Sequence, residues 1–521
     1  MRRFTILFAL LVAIIPACAA RPGDRLVYGL TLAPSGIDPH VNASSELGIP
    51  LTAVYDTLVY QDLSCNCFVA GLAERWEVSD DGLVYTFYLR QDIVFHDGIP
   101  FDAEAVRYNL ERITSDDLAS QKARFMLGPY DHAEVVDDYT IRIYLGEPFT
   151  PLLDALSQVY LGMASPAALA EWGEEYQLHQ VGTGPYIFAE YVPGDHLLLR
   201  RNPDYAWGPE IYANETAQVE EIEFRFFVDP ATRSPALETG EVQVMGEIPP
   251  QDASRLSESD DFAIVPAAVP GVSLMLFMNT ARPPLDDVLV RQALLYGTDR
   301  QAIVTAIFAD TSPVAYGPLA AATLGYEPAV QGMYPYNAER AADLLERAGW
   351  SDSDGDGIRD REGEPLVLDL YLMSWGYMPE IGQMAAAQWR AIGVDTVSQV
   401  VSYPEALSIA SEGTHHLIPF TLSGSDPDIL RKFFHSQALF NWSGVNDPEM
   451  DFWLEEAAQL GDRQQRVALY SRVQRQVMQQ ALVIPIRDYV NLNGISRRVQ
   501  GLRFDAQGWF PQLIDVTLED R

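Results

Sequence analysis

Residues 71–82 read Gly71-Leu72-Ala73-Glu74-Arg75-Trp76-Glu77-Val78-Ser79-Asp80-Asp81-Gly82, and Leu83-Val84-Tyr85-Thr86-Phe87-Tyr88-Leu89-Arg90 follows directly. The second stretch is rich in β-branched and aromatic residues, which suit a pleated, half-buried surface, and Asp80-Asp81-Gly82 before it is a turn signal. The pattern predicts a strand over Leu83 to Arg90. Ile93-Val94-Phe95 then runs into a second turn at Asp97-Gly98. Asp102 comes next, a good N-cap for Ala103 to Arg112, a helical stretch with acid in its first turn.

The same alternation continues outward. Val219 to Phe227 and Val367 to Leu372 read as strands, and Arg466 to Gln480 as a long amphipathic helix. Asn337 caps a helix over Ala338 to Ala348, with Leu344 and Leu345 on its apolar face and Gly349 as its stop signal. Mixed elements without a repeat imply α/β lobes, each with a mixed sheet. A chain of 521 residues is long enough for more than one core. No stretch has the composition of a linker, so the lobes are expected to exchange strands through several crossings.

The N-terminus sets the compartment. Arg2 and Arg3 precede the apolar run Phe4 to Ile15, and Pro16-Ala17-Cys18-Ala19-Ala20 closes it. That order is an export signal over residues 1–20, too short to remain as a spanning helix. Ile15-Pro16-Ala17-Cys18 resembles a lipobox, which makes Cys18 a lipid-modified terminus and the signal 1–17. Ala17-Cys18-Ala19 also fits ordinary small-x-small cleavage. Both readings place the mature chain outside the cytoplasmic membrane. The formal net charge of −38 argues against nucleic acid or anionic lipid as partners. Lys122 and Lys432 are the sole lysines among 35 basic residues, a bias that fits genome composition or salt adaptation.

The survey for chemistry-bearing motifs is mostly empty. There is no H-E-x-x-H, no G-x-S-x-G, and neither lysine follows a glycine as a P-loop requires. Cys65 and Cys67 form a C-x-C that leaves a free pair, a bridge and a metal site open. Asp352-Ser353-Asp354-Gly355-Asp356-Gly357-Ile358-Arg359-Asp360 matches the front of a calcium loop, with oxygen ligands at positions 1, 3, 5 and 9 and glycine at 6. Its back does not match: Gly363 stands at position 12, Glu364 falls one residue late, and a strand follows. The alternative is a polar hairpin turn. His415-His416 is a possible metal pair, but neighbours on a strand face opposite ways, so one buried and one exposed histidine is expected.

These stretches together resemble a known family, the extracytoplasmic solute-binding proteins of the peptide/nickel class, family 5 of the ABC-importer binding proteins. Residues 71–98 carry the family's "gLAesW-vs-Dg-tytF-LR---FhdG" spacing. Four further stretches agree in order: Gly182-Thr183-Gly184-Pro185-Tyr186; Arg201-Asn202-Pro203-Asp204-Tyr205; Tyr336 to Trp350 with the Gly-Asp-Gly turn after it; and Asp462 to Tyr470 with Pro485 downstream. The resemblance implies a two-lobed α/β fold of the periplasmic-binding-protein type II kind, with an extra subdomain on the first lobe. Lobe I is then 21–268 with 486–521, its subdomain near 56–180, and lobe II is 269–485. Trp76 and Phe87 are expected in the core, and Gly184 and Pro185 at a strand entry.

The implied function is ligand capture between the lobes and delivery to ABC permease subunits, by a monomer without cofactor, metal or catalytic residues. Peptide binders of the family anchor the ligand's amino group on an aspartate; here that position is Ser423, in Phe420-Thr421-Leu422-Ser423-Gly424-Ser425-Asp426-Pro427. Free dipeptides are therefore expected to bind weakly. Nickel-type members use an arginine on a chelator carboxylate, and Arg124 is the nearest match. Asn42, Arg124, Trp375, Ser423 and Asp426 are the ligand-binding candidates, Trp375 because it sits just past a strand end, where open α/β sheets expose their sites. Oligopeptide or dipeptide-like solutes are the expected cargo, with a nickel chelate or an oligosaccharide as alternatives on the same fold. A secreted hydrolase is the alternative class, and no nucleophile motif supports it.

Overall fold

The computed structural model describes residues 25–519 apart from 35–36, 43, 66, 119 and 121. The expected export signal and Cys18 lie outside the described residues. No helix among the described residues is long and apolar enough to cross a membrane.

Two mixed sheets organise the chain. The first runs in the order Phe262–Ala268, Val490–Ser496, Val244–Met245, Arg25–Leu30, Glu221–Phe226, His196–Arg201, Tyr186–Val192. Arg25–Leu30 pairs parallel with both of its neighbours, and Tyr28 lies opposite Phe224. The second sheet runs Asp395–Val401, Val367–Met373, Leu417–Ser423, Gly271–Met278, Val483–Arg487. Its strand Gly271–Met278 is buried along its whole length and pairs antiparallel on both edges. Each sheet has its own large apolar core, one around Phe277, Trp389 and Phe433, the other around Tyr28, Phe87 and Phe224.

The chain passes from the first sheet to the second between Ala268 and Gly271, and returns between Arg487 and Val490. There are thus two passages close together in space, where the sequence suggested several. Gly271 stands at the first with φ +132°, and a Cβ there would lie 2.2 Å from the Leu422 carbonyl oxygen, so only glycine fits.

A separate four-stranded antiparallel sheet extends the first lobe, in the order Ala73–Val78, Val84–Leu89, Thr140–Leu145, Tyr130–Asp137. The local signals operate here as read. Asp102 accepts from the Ala105 amide at the start of Ala103–Thr114, and Asn337 accepts from the Arg340 amide at the start of Ala338–Arg347. Phe87 is fully buried, whereas Trp76 is half-buried against the core edge. Gly184 sits against the Ala53 and Val54 backbone just before the strand Tyr186–Val192.

The lobes also touch away from the passages. Thr150 of the subdomain donates its amide to the Ala458 carbonyl and its hydroxyl to the Leu460 carbonyl, at 2.9 and 2.8 Å. Ser425 donates to Asp154 across the same boundary and accepts from Gln507.

Candidate functional site

A cleft of about 870 Å³ opens between the lobes, within the size range of ligand pockets. The first lobe contributes Thr31, Leu32, Ser44 to Glu46, Arg233 and Glu247; the second contributes Phe308, Trp375, Tyr377, Tyr403 and Thr421 to Ser423. The two passages supply Val269, Pro270, Arg487 and Tyr489. The segments joining the lobes are therefore part of the cleft's lining.

One wall is aromatic. Trp375 lies just past the end of Val367–Met373 and is 38% exposed, although its ring packs edge-on to the buried Phe420 at 6.1 Å. Tyr403 stacks on the same Phe420 from another direction. Exposed rings backed by a rigid core present apolar surface at little entropic cost, which suits a binding wall.

The first lobe's part of the lining holds fixed charge. Glu46 sits in the first turn of Ser45–Val54, buried, and accepts from the Thr31 amide. Burial, then the neighbouring Glu247 carboxylate, pushes its carboxyl up to about 7. Glu247 has φ +46°, an unfavourable backbone for a side chain of its size. It is held there by its amide to Asn491 Oδ1, by the Tyr489 hydroxyl on its carboxylate, and by Arg233, whose Nη1 lies 3.1 Å from its carbonyl and 3.7 Å from its carboxylate. Arg233 also caps the Phe227 and Val228 carbonyls.

Arg487 ends the strand Val483–Arg487 and is 4% exposed. Its guanidinium lies 3.9 Å from the Phe308 ring centre and 4.4 Å from that of Tyr489. Nη1 donates to Ser312 Oγ at 2.8 Å, and Nε has no hydrogen-bond partner among the described residues. Burial lowers its affinity for the proton.

The sequence profile of bacterial extracellular solute-binding proteins, family 5 (middle region), matches residues 68–440. The chain belongs to that family. It is 28% identical over 420 residues to the glutathione-binding protein GsiB of Pectobacterium atrosepticum, covering 78% of this chain and 77% of that one. In fold it is similar to NikA from Brucella suis, solved with Fe(III)-EDTA, at a TM-score of 0.84 and 23% identity over 95% of this chain and 100% of that one. It is also similar to DppA from Helicobacter pylori, solved with the peptide STSA, at 0.78 and 24% over 95% and 98%.

Within this family 5 binding protein the structure brings together two of the five sequence candidates. Trp375 and Ser423 both line the cleft, and Ser423 Oγ lies 3.5 Å from Ser45 Oγ of the other lobe. The other three lie outside its lining. Asn42 spends its side chain on a local turn, bonding the Ser44 amide and carbonyl. Arg124 is exposed on Lys122–Leu127 and pairs with Asp116 at 3.0 Å. Asp426 caps Pro427–Leu430 and takes both Arg466 Nη atoms at 2.6 Å each, an internal ion pair that uses the whole carboxylate.

The remaining motifs lie outside the cleft lining. Both histidines of the pair are buried, correcting the expected split. His415 Nε2 meets the Trp442 carbonyl, while His416 bonds the Pro283 carbonyl and the Asp369 amide, so they serve different neighbours. Cys65 and Cys67 form a disulfide. Asp352, Asp354 and Asp356 can bring carboxylate oxygens within 4.8 Å of one another, yet all are exposed and each accepts backbone amides of its own turn. The turn leads through the hairpin Asp360–Arg361 and Glu364–Pro365 into the strand Val367–Met373.

Sequence reasoning missed Glu46, Arg233, Glu247, Arg487 and Tyr489. One signal was present: Arg487-Asp488 directly follows the apolar run Val483 to Ile486, and an arginine ending such a strand needs an explanation.

Proposed function

We propose that this chain is the extracytoplasmic receptor of an ABC importer and that its cargo is a small peptide-like, zwitterionic solute. The observation that carries the reading is the composition of the cleft: the aromatic rings of Trp375 and Tyr403 share its lining with the carboxylates of Glu46, Glu247 and Glu380 and the guanidiniums of Arg233 and Arg487. Such a set of apolar surface and opposite charges suits a short peptide or a γ-glutamyl peptide, and suits a neutral sugar poorly. The similarity to a glutathione-binding protein supports the same class. Ser423 brings no charge, so the cationic end of the ligand is assigned to Glu46 and Glu247. Ligand contacts both lobes, so binding favours the closed arrangement that a permease reads. The receptor acts as a monomer, its lobes divided at 268–271 and 487–490, and turns over no substrate.

The test is calorimetric titration of the mature protein with glutathione, tri-alanine, a dipeptide and nickel–histidine. The expected result is binding of at least one peptide-like solute, weakened in Trp375→Ala. Binding of nickel–histidine alone would move the chelate reading into its place.

A further inference from the structure

Arg487 is a buried cation without an anion. Among the described residues no carboxylate lies within salt-bridge distance of it, although Glu247 and Asp488 are near enough to act on it electrostatically. Glu247 accepts from Tyr489 and lies beside Arg233, while Asp488 accepts the Ala321 amide on Oδ2 and has no hydrogen-bond partner on Oδ1 among the described residues. Phe308 and Tyr489 cover the guanidinium, Ser312 takes one terminal nitrogen, and Nε remains unpaired. Burying a guanidinium without a counter-ion is unfavourable, and natural chains pair such groups. The group also lines the ligand cleft on a passage between the lobes.

We propose that Arg487 is the carboxylate-binding residue of the cleft, and that the ligand itself supplies the missing counter-ion. This rests on the reading of the chain as a ligand receptor. The planar fork of a guanidinium suits a carboxylate at its edge, and the rings fix its plane before the ligand arrives. A carboxylate here would lie against the segment joining the lobes, so the anionic end of the ligand is held at the hinge and the rest reaches toward the aromatic wall.

The experiment compares acids with their amides on the full mature chain: tri-alanine with tri-alanine amide, and succinate with succinamide, at matched ionic strength. Thermal shift and calorimetry are run on wild type, Arg487→Met and Arg487→Lys. Wild type should be stabilised by the acids and not by the amides. Arg487→Met should lose that preference, with tri-alanine binding about 10- to 100-fold weaker. Arg487→Lys should recover part of the preference, since it keeps charge but not the fork. The proposal is overturned if neither acid stabilises wild type, if acid and amide act alike, or if Arg487→Met keeps the preference. If succinate shows the Arg487-dependent effect and tri-alanine does not, the peptide reading fails and the carboxylate site stands.

Discussion

Arg466→Met is the perturbation that most sharply separates the structure's account of Asp426 from a ligand-binding one. Arg466 is buried on Arg463–Gln479, donates from both Nη atoms to Asp426 and from Nε to the Ala457 carbonyl. Methionine keeps most of the apolar stem but removes three charge-assisted donors. Asp426 is then left with no counter-charge, close to the Asp154 carboxylate that already feels it. Removing one partner of a buried pair costs about 3–5 kcal/mol, mainly through the charge left behind. At about 2.1 cal/mol/K per residue, a loss of ~4 kcal/mol lowers Tm by about 4 °C if some 500 residues unfold as one unit, and by about 9 °C if a lobe of some 215 residues unfolds alone. The assay is urea and thermal unfolding of the single variants and of Asp426→Asn/Arg466→Met. The double variant should recover at least ~1 kcal/mol relative to additivity. Affinity for a bound peptide should not change in Asp426→Asn. A loss under ~1 kcal/mol in Arg466→Met, or a loss of affinity in Asp426→Asn, would refute the reasoning.

Other consequences are as direct. Gly184→Ala places a methyl 2.6 Å from the Ala53 carbonyl oxygen and 2.7 Å from the Val54 carbonyl carbon, both backbone atoms, and should cost about 1–3 kcal/mol in urea unfolding. Glu46, Asp154 and Asp505 are each pushed up to about 7 by burial, from ordinary values near 4. At these three groups the folded state holds more protons than the unfolded one between about pH 4 and pH 7, so their contribution to stability is lost as pH rises through that window, while the buried histidines His40, His96, His415 and His416, whose burial lowers their proton affinity, contribute with the opposite sign. Asp154→Asn should therefore gain stability relative to wild type as pH rises from 5.5 to 8, and a difference in Tm between the two that does not change with pH would contradict this. Trp375→Ala removes an exposed ring of the cleft wall and should weaken ligand binding about tenfold in calorimetry while leaving Tm without ligand nearly unchanged.

Features set by neighbours in sequence were legible before any coordinates. Asp102 and Asn337 cap their helices because capping is decided within a few residues, and the strand Val84–Leu89 follows from its own alternation beside a turn. The site was less legible because its charges converge from distant segments. Glu46, Arg233, Glu247 and Arg487 carry no motif, and acidic residues are too common in this chain to single out two. Asp426 illustrates the converse. Its position beside Ser423 suggested a ligand contact, and only the fold brings Arg466, 40 residues on, to occupy it. The histidine pair misled for a similar reason: strand alternation predicts opposite directions, but both directions here lead into protein.

The measurement that bears most directly on the central claim is native mass spectrometry of the mature protein, exported and purified without added solute, followed by denaturation and identification of what is released. The account expects a single small solute that carries both a cationic group and a carboxylate, lost from Trp375→Ala and Arg487→Met. A released metal chelate or neutral sugar, retained unchanged by both variants, would contradict it.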